Sequence, residues 1–372
     1  MPTTLAPQPA SQVTARWHTD VDAAPPDTQR PPHPSRTRAW AKAWQQVTTE
    51  RVLSHQHVHL FDETAGISET VSYYHVDPGG SPYWNSQETD AAMAPVWPGP
   101  VLWAGSPHAE YGGAGTSTSP LARAAISAGQ DLAAQYGACA VAFPGLTTAQ
   151  AALLSEAGPD TPLNIATDVA FTRPLGNDLD SWWAGIPTRY RREARRQWRR
   201  GTEAGLLLRP LTGTSIRAAL GTFTDLANGT ADRHGTHLYG HEMLYHLTDV
   251  PGAVLLAATH DQHLVGGLYG WLHHDCLYLW ASGIDYSHPA ARWTYTWLMG
   301  EAARWAIDHH ATRIDAGRWN CRAKTHLGYQ PQILRTVVSF TQPNQTAAAA
   351  LTRLSSRLEV SATPYLTSGI RW

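Results

Sequence analysis

Apolar and polar positions follow two different periods along this chain, and their order predicts an α/β protein. Residues 51–61 (RVLSHQHVHLF) alternate between the two classes, as the residues of a half-buried strand do. Residues 118–137 instead repeat their apolar positions every three to four residues. With Pro120 in the first turn and Gly137 at the end, they predict a helix. Further strands of the first half are predicted at residues 68–76, 99–105, 138–145 and 164–174.

The second half repeats much of this order. Helical periodicity at residues 178–201 and 214–235 precedes three strands, a long helix, a buried strand, a late strand and a last helix. These later elements are predicted at residues 253–260, 263–273, 275–285, 288–310, 312–317, 334–343 and 344–359.

Two short segments at matching places in this order are similar to each other. Residues 167–174 (TDVAFTRP) and 336–343 (TVVSFTQP) share five of their eight residues. Each follows a long helix and a buried strand, so together they predict two copies of one α/β unit. We therefore expect a flexible N-terminal arm, a first unit and a second, catalytic unit, at residues 1–36, 37–176 and 177–372.

Composition excludes several classes of protein. The 372 residues are enough for two domains, and the net charge of -2 gives no general attraction to DNA or other polyanions. The three cysteines, Cys139, Cys276 and Cys321, lie far apart and fit neither a disulfide framework nor a zinc motif. The sequence offers no signal peptide and no apolar run long enough for a membrane span. We expect a cytoplasmic protein without a membrane partner.

Positive charge is nevertheless concentrated in residues 187–201 (PTRYRREARRQWRRG), where seven of the twelve residues from Arg189 to Arg200 are arginine. On a helix, Tyr190, Ala194 and Trp198 share one face, which predicts a docking stripe. The arginines on the other face would point outward, where guanidinium groups pair well with phosphate. This face either binds a polynucleotide backbone or is a solvated surface neutralised by acids from elsewhere.

Three segments carry a resemblance to a known family: residues 190–201, 254–283 and 313–331 (RIDAGRWNCRAKTHLGYQP). They resemble the GNAT superfamily and, within it, the Fem-like and BioF2-like acyltransferases, which carry two GNAT-like units in tandem. The resemblance covers roughly residues 180–345, and the first half only by architecture. It implies an α/β fold of two GNAT-like units, each a mixed, mostly antiparallel sheet flanked by helices, and an acyltransferase activity.

The donor loop departs from that of acetyl-CoA-using GNAT enzymes, in which a glycine-rich turn at a helix N-terminus holds the pyrophosphate of CoA. Here residues 281–297 contain Gly283 alone, with His288 and Pro289 where glycines are expected. Fem-like enzymes share this loss, and the best-known of them use aminoacyl-tRNA. The resemblance therefore implies aminoacyl-tRNA as a co-substrate, with no cofactor. The groups expected to bind it are Arg189, Arg192, Arg195, Arg196, Arg199 and Arg292.

Two alternatives remain open at this point. In one, the donor is an acyl-CoA or carrier-protein thioester, and Arg292 and the arginine helix bind its phosphates. In the other, the chain is a non-catalytic RNA-binding protein that has kept the fold.

Catalytic residues are expected near the end of the second unit. The resemblance implies that Lys324, just before Gly328 and Tyr329, holds the donor and stabilises charge on the reacting carbonyl. Asp315 lies in an otherwise apolar strand, where burial would raise its pKa towards that of a base. Asp285 is a rival for the base that accepts the amine proton, as are Tyr286 and His288.

The acceptor is expected to be a small molecule with an amine, bound in a tryptophan-lined cleft between the units. The long coiled-coil insertion of peptidoglycan-type Fem proteins is absent. A cell-wall precursor is therefore not expected as the acceptor, and a specialised small metabolite remains. The residues expected to bind it are Trp271, Trp280, Tyr286, His288 and Tyr329. No metal is expected, because His55, His57 and His59 share a strand face without cysteine or carboxylate partners.

Overall fold

A computed structural model describes residues 13–48, 51–77, 96–112, 117–158, 162–233 and 239–366. Its strands are β1 (Val13–His18), β2 (Val52–Asp62), β3 (Ile67–Val76), β4 (Val101–Ala104), β5 (Ala140–Leu146), β6 (Leu163–Pro174), β7 (Leu207–Leu211), β8 (Ala253–His260), β9 (His263–His273), β10 (Cys276–Ile284), β11 (Arg313–Arg318) and β12 (Gln330–Phe340). Its α-helices are α1 (Arg38–Trp44), α2 (Ser119–Tyr136), α3 (Thr148–Ala157), α4 (Leu179–Ala184), α5 (Thr188–Glu203), α6 (Thr214–Asp232), α7 (His241–Leu247), α8 (Ala291–Asp308), α9 (Cys321–His326) and α10 (Gln345–Leu366).

The strands form one continuous sheet in the order β1-β2-β3-β4-β5-β12-β6-β11-β10-β9-β8-β7. Neighbours are antiparallel except for two pairs, β4 with β5 and β10 with β11, which are parallel. Helices flank the sheet, and the mixed, mostly antiparallel α/β fold expected from the sequence is confirmed.

The topology repeats in the two halves. Strands β2 to β5 of the first half correspond to β8 to β11 of the second, each series ending in a parallel pair. The last strand of each half is exchanged: β12 lies between β5 and β6, and β6 lies between β12 and β11. This is the tandem arrangement that the two similar segments predicted.

The two similar segments meet at the centre of this exchange. Thr167 and Thr336, the first residues of the two similar segments, hydrogen-bond through their hydroxyls at 2.9 Å. Ala166 and Arg335, which precede them, pair across β6 and β12. Residues at equivalent sequence positions therefore face each other across a local two-fold axis. Because β6 belongs to both halves of the sheet, the proposed boundary after residue 176 stays a prediction.

Residues 13–36 differ from the flexible arm that we expected, whereas residues 1–12 lie outside the described ranges. Strand β1 pairs with β2 along its whole length and forms one edge of the sheet. Further along, the Tyr278 hydroxyl donates to the Pro32 carbonyl at 2.8 Å. The segment thus connects the first half to the second.

Two of the elements that the sequence did not predict, β7 and α9, are short and lack a clear local pattern. Strand β7 contains Pro210 and has a neighbour on one side only, so its sequence lacks the pattern of a central strand. Helix α9 has six residues, and its N-cap residue Asn320 is at positive φ and makes no capping hydrogen bond through its side chain. Within the described ranges, no helix has the length and apolarity that a membrane span requires.

We predict that acid destabilises the fold through His57. The ring is buried, accepts from Gln45 Nε2 at 2.8 Å and contacts Ser72 Oγ at 2.8 Å. Burial lowers its pKa from 6.5 to about 4, and His55 nearby acts in the same direction. The unfolded chain takes up this proton at a higher pH than the folded one, so stability is lost as the pH falls from about 6.5 towards 4.

Thermal unfolding between pH 4.5 and 8 measures this effect. The His57→Gln variant should lose part of the decline in Tm that the wild-type protein shows below pH 6.5. His263 is exposed, so His263→Gln is the matched control and should keep the wild-type pH dependence. Equal pH dependence in all three proteins would contradict the prediction.

Candidate active site

A cavity of about 340 Å³ lies where the parallel strands β10 and β11 separate. The two strands pair only between Cys276–Tyr278 and Arg313–Asp315, and a bulge follows in β10 between Leu279 and Ala281. The backbones then diverge and leave space between them. The polar and aromatic side chains that line this space are those of His108, Glu110, Thr230, Tyr239, Trp280, Ser282, Tyr286, Arg292, Tyr295, Arg318, Trp319, Asn320 and Lys324.

Lys324 projects from α9 into this cavity, and its side chain is buried. Its ammonium group donates to the carbonyl oxygens of Gly317 at 2.9 Å and Arg318 at 2.5 Å. An ammonium has three N–H donors, so one donates to no described residue and is open to a bound molecule. Burial lowers the pKa of Lys324 to about 8, although Glu110 and Asp315 act in the opposite direction. The amine is therefore mostly protonated at pH 7, and its pKa of about 8 lies close to that pH.

Asp315 lies on β11 directly behind the cavity wall. Its carboxylate accepts from the Tyr111 hydroxyl at 2.6 Å and from the Gly317 amide at 3.0 Å. Burial raises its pKa, against the effect of these hydrogen bonds. Because Tyr111 belongs to the first half of the chain, this hydrogen bond connects the two halves at the site.

Glu110 also lines the cavity, and the sequence reasoning missed it. It lies in the irregular segment between β4 and α2, and its side chain is buried. Its Oε1 atom accepts no hydrogen bond from the described residues. Burial raises its pKa well above the usual range, and Asp315 adds to this, against the opposing effects of Arg318 and Lys324. The sequence did contain a signal. Glu110 is an acid two residues before Gly112, in the segment that follows the wholly apolar strand β4.

Gly317 provides the space in which Glu110 sits. Its φ is +70°, and a Cβ atom there would lie 3.4 Å from both carboxylate oxygens of Glu110. The same atom would lie 2.6 Å from the Leu279 carbonyl oxygen. Close approach of Gly317 to the backbone of β10 thus depends on glycine at this position, whereas Glu110 would only reach van der Waals contact with an added Cβ.

A second pair of charges completes the site. Arg318 Nε lies 3.3 Å from Asp168 Oδ2, and both side chains are largely buried. The site therefore holds three buried carboxyl groups, on Glu110, Asp168 and Asp315, and two largely buried cations, on Arg318 and Lys324, whereas Arg292 in the cavity lining is exposed. Such a buried excess of acid is costly unless one carboxyl group is protonated or a further cation binds.

The arginine-rich segment forms helix α5, and the predicted docking stripe is confirmed. Ala194 is buried, and Trp198 Nε1 donates to Glu301 Oε1 on α8 at 2.8 Å. Tyr190 stacks on His326, with ring centroids 3.8 Å apart. The arginines on the remaining faces, Arg189, Arg192, Arg195, Arg196 and Arg199, are exposed.

Some of these arginines have acidic neighbours on the surface. Arg196 pairs with Glu193 at 2.7 Å, and Arg195 lies 3.6 Å from Asp180. Within the part of the chain that the structure describes, Arg192 and Arg199 make no hydrogen bond or ion pair. Exposed pairs such as these contribute little and exchange readily for other anions.

A groove connects this helix to the cavity. It runs between α5 and α9 and is lined by Tyr190, Gln197, Arg322 and His326, among others. Asn320 lines both the groove and the cavity, so the two adjoin. The groove beside α5 is therefore adjacent to the cavity that Lys324 lines.

The turn before α8 offers few free amides. The Ala290 amide donates to His288 Nδ1 at 3.2 Å, and the Ala291 amide donates to the His288 carbonyl at 2.9 Å. The Trp293 amide donates to the Ala290 carbonyl at 2.9 Å, and Pro289 has no N–H group. The donors that would bind a pyrophosphate here are therefore largely used within the turn.

The structure brings some of the expected site residues together and leaves others apart. Trp280, Tyr286 and Arg292 line the cavity with Lys324, and Asp315 lies behind it. Four expected residues, however, lie outside its lining.

Trp271 is fully buried behind Trp280, whose ring centroid lies 5.8 Å away, and it packs against Trp40. Tyr329 lies in the turn before β12 and is fully buried in the core around α8. Asp285 accepts from Ser287 in the turn, and these hydrogen bonds lower its pKa, so it is a poor base. His288 packs beside His260, with ring centroids 5.0 Å apart.

Comparison with known proteins agrees with this geometry. Residues 188–325 match the model of the acetyltransferase (GNAT) domain family. The solved structure of FemX has a TM-score of 0.53 at 10% identity, covering 82% of this chain and 93% of that one. A conserved protein of unknown function from Bacteroides thetaiotaomicron has a TM-score of 0.50 at 12% identity, covering 82% and 90%.

A tandem GNAT protein from the clavulanic acid biosynthesis pathway has a TM-score of 0.49 at 11% identity, covering 90% of this chain and all of that one. No curated protein matches the sequence. At these identities, the structural matches speak for the fold alone.

We predict that Gly317→Ala destabilises the protein more than Gly66→Ala does. Both glycines have similar φ angles, +70° and +66°, so each alanine should lose about 1–2 kcal/mol for its left-handed backbone. At Gly66 nothing lies within 4 Å of the added Cβ, whereas at Gly317 the Leu279 carbonyl must move. Urea unfolding of both variants measures the difference. Equal losses would show that Glu110 and Leu279 do not pack against Gly317 as described.

Proposed function

We propose that this chain forms amide bonds as an acyltransferase, because residues 188–325 match the acetyltransferase (GNAT) domain family. In the specific reaction that we propose, an aminoacyl group passes from aminoacyl-tRNA to the amine of a small acceptor molecule. Such a reaction belongs to the cytoplasm, where charged tRNA is present.

The choice of aminoacyl-tRNA over CoA as the donor rests on the backbone amides before α8, which already donate hydrogen bonds within the turn. A pyrophosphate needs several free N–H groups at this position, and Ala290, Ala291 and Trp293 have already donated theirs within the turn. Arg292 alone lines the cavity there as a cation. A donor that depends on this turn, such as CoA, would have lost most of its anchor.

The exposed arginines of α5 supply another anchor. Arg192 and Arg199 are exposed and uncommitted among the described residues, and the nearby pairs of Arg195 and Arg196 are on the surface. Guanidinium groups in a row bind phosphates of a nucleic acid backbone without reading its sequence. The groove beside Tyr190 would then guide the aminoacyl end of the tRNA to the cavity.

Lys324 is the group that we assign to the reacting carbonyl. Its third N–H is available, and a buried ammonium stabilises the negative charge that develops on the oxygen as the amine attacks. The ester is already reactive, so holding it beside the amine contributes much of the remaining acceleration. Arg318 is engaged with Asp168 and supports the site from behind.

The acceptor that we propose is a small metabolite, of the kind used in natural product biosynthesis. The cavity holds about 340 Å³ and has aromatic walls, including Trp280 and Tyr286. This space admits a compact amine rather than a folded protein surface.

The direct test incubates the purified protein with charged tRNA pools and added amines. We expect ester discharge that requires both protein and amine. Protection of the protein against heat by CoA, with no discharge of charged tRNA, would favour the thioester alternative. Binding of RNA without any transfer would favour the non-catalytic alternative.

We predict that Lys324→Met lowers kcat/KM for transfer by about 100- to 1000-fold, because the developing oxyanion loses its cation. Its binding of charged tRNA should stay within about threefold of wild type, which also reports that the variant is folded. Lys42 is exposed and remote from the cavity, so Lys42→Met is the matched control and should transfer normally. Normal transfer by Lys324→Met would contradict the assigned role.

We also predict that Arg192→Ala with Arg199→Ala weakens tRNA binding and makes it less sensitive to salt. For every phosphate that is no longer bound, the slope of log Kd against log salt concentration should fall by about one. Arg353 is an exposed arginine on another helix, so Arg353→Ala is the control for net charge. If all variants have the wild-type slope, α5 does not bind the tRNA.

A further inference from the structure

The first half of the chain contributes His108 and one acidic side chain to the cavity lining, and the proposed reaction leaves the role of the acid open. This acid is Glu110, whose carboxyl group is buried and lines the cavity. Its Oε1 atom has no hydrogen-bond partner among the described residues. A buried carboxyl oxygen without a partner is costly, and a bound molecule that donates to it would remove that cost.

We infer that Glu110 is the base that takes a proton from the acceptor, and that the acceptor enters as a primary ammonium ion with a flat, apolar body. The inference rests on the proposed function, because it assigns a residue and a substrate class to the same cavity.

The charges around Glu110 favour a cation. The ionisable groups that influence it are Asp168 and Asp315 as acids, and Arg318 and Lys324 as bases. Tyr239, in the same cavity, stays neutral, because burial raises its pKa to about 12. Among the buried groups, three carboxyl groups face two cations, and burial and Asp315 raise the pKa of Glu110. An entering ammonium ion adds a positive charge beside Glu110 and favours the ionised form of its carboxyl group.

The same electrostatics then drive the proton transfer. Ionised Glu110 and the ammonium ion form a desolvated ion pair, and moving one proton from nitrogen to Oε1 makes both neutral. The free amine attacks the ester carbonyl, and a C–N bond forms while the oxyanion rests against Lys324. The bond from the carbonyl carbon to the ribose oxygen then breaks. The second nitrogen proton passes to that oxygen, and Glu110 releases its proton to water, so amide, alcohol and one proton are formed.

The remaining residues that line the cavity indicate the chemical nature of the rest of the acceptor molecule. Trp280 and Tyr239 stand edge to face with ring centroids 5.5 Å apart, and Leu279 and Met299 line the cavity with them. Aromatic faces attract both flat rings and cations. A ring one or two bonds away from the amine would fit both features.

The test compares two acceptors of the same shape. Benzylamine is mostly protonated at pH 7 and needs a base, whereas O-benzylhydroxylamine is unprotonated and does not. For Glu110→Gln, we expect kcat/KM to fall about 100-fold or more with benzylamine. With O-benzylhydroxylamine it should fall less than about tenfold. Glu63 is exposed beside a distant turn, so Glu63→Gln should react normally with both.

Equal losses with the two acceptors would mean that Glu110 has only a structural role, and no loss with either would mean that it has none. Both results overturn the inference while leaving transfer by the wild-type protein intact.

If the wild-type protein discharges no charged tRNA, the proposed function fails, and binding tests the inference separately. The wild-type protein should bind benzylamine at least about tenfold more tightly than the neutral benzyl alcohol at pH 7, and Glu110→Gln should lose that preference. Absence of the preference in the wild-type protein would overturn the substrate class.

Discussion

The exchange of β6 and β12 at the centre of the sheet is the constraint on which the rest of the molecule depends. Each strand hydrogen-bonds to both halves, and Thr167 and Thr336 meet on the local axis. The exchange also builds the site, because β6 brings Asp168 to Arg318 and places the Phe171 ring 5.5 Å from the Lys324 ammonium. One apolar cluster follows the same path, with Trp103 of the first half and Leu255 of the second in a common core. The two copies thus share one sheet, and the cavity lies where loops of the first reach strands of the second.

The cavity concentrates charge where charge is expensive. Lys324, Asp315 and Glu110 are all buried, and each has a pKa displaced from its ordinary value by burial. A protein selected only for stability would fill such a space with apolar side chains, because buried ion pairs seldom stabilise more than a well-packed core. Displaced pKa values gathered around an open space are typical of reactive sites. The parallel strands supply the space, because they separate after three paired residues and a bulge in β10 keeps them apart.

The sequence predicted those parts of the molecule that depend on local periodicity. Strands, helices, the docking stripe of α5 and the repeated segments all follow from residues close together in the chain. Lys324 and Asp315 were found because they lie in one short stretch with a recognisable pattern. Glu110 was not, because it lies more than 200 residues earlier in a segment without periodicity, and only the folded chain brings it to Gly317. Trp271 and Tyr329 illustrate the converse, since their sequence context shows large aromatic residues near the site but not that both are fully buried in the core.

The position of β12 also determines when the sheet can be completed during synthesis. Strand β5 acquires its second neighbour, and the first half its finished sheet, only when residues 330–340 are available. Until then, a nascent chain of more than 300 residues carries two open sheet edges in its interior. Pairings over such long sequence separations form slowly, and exposed edges invite association with other chains. This protein should therefore depend on chaperones more than a chain of two independently closing domains would.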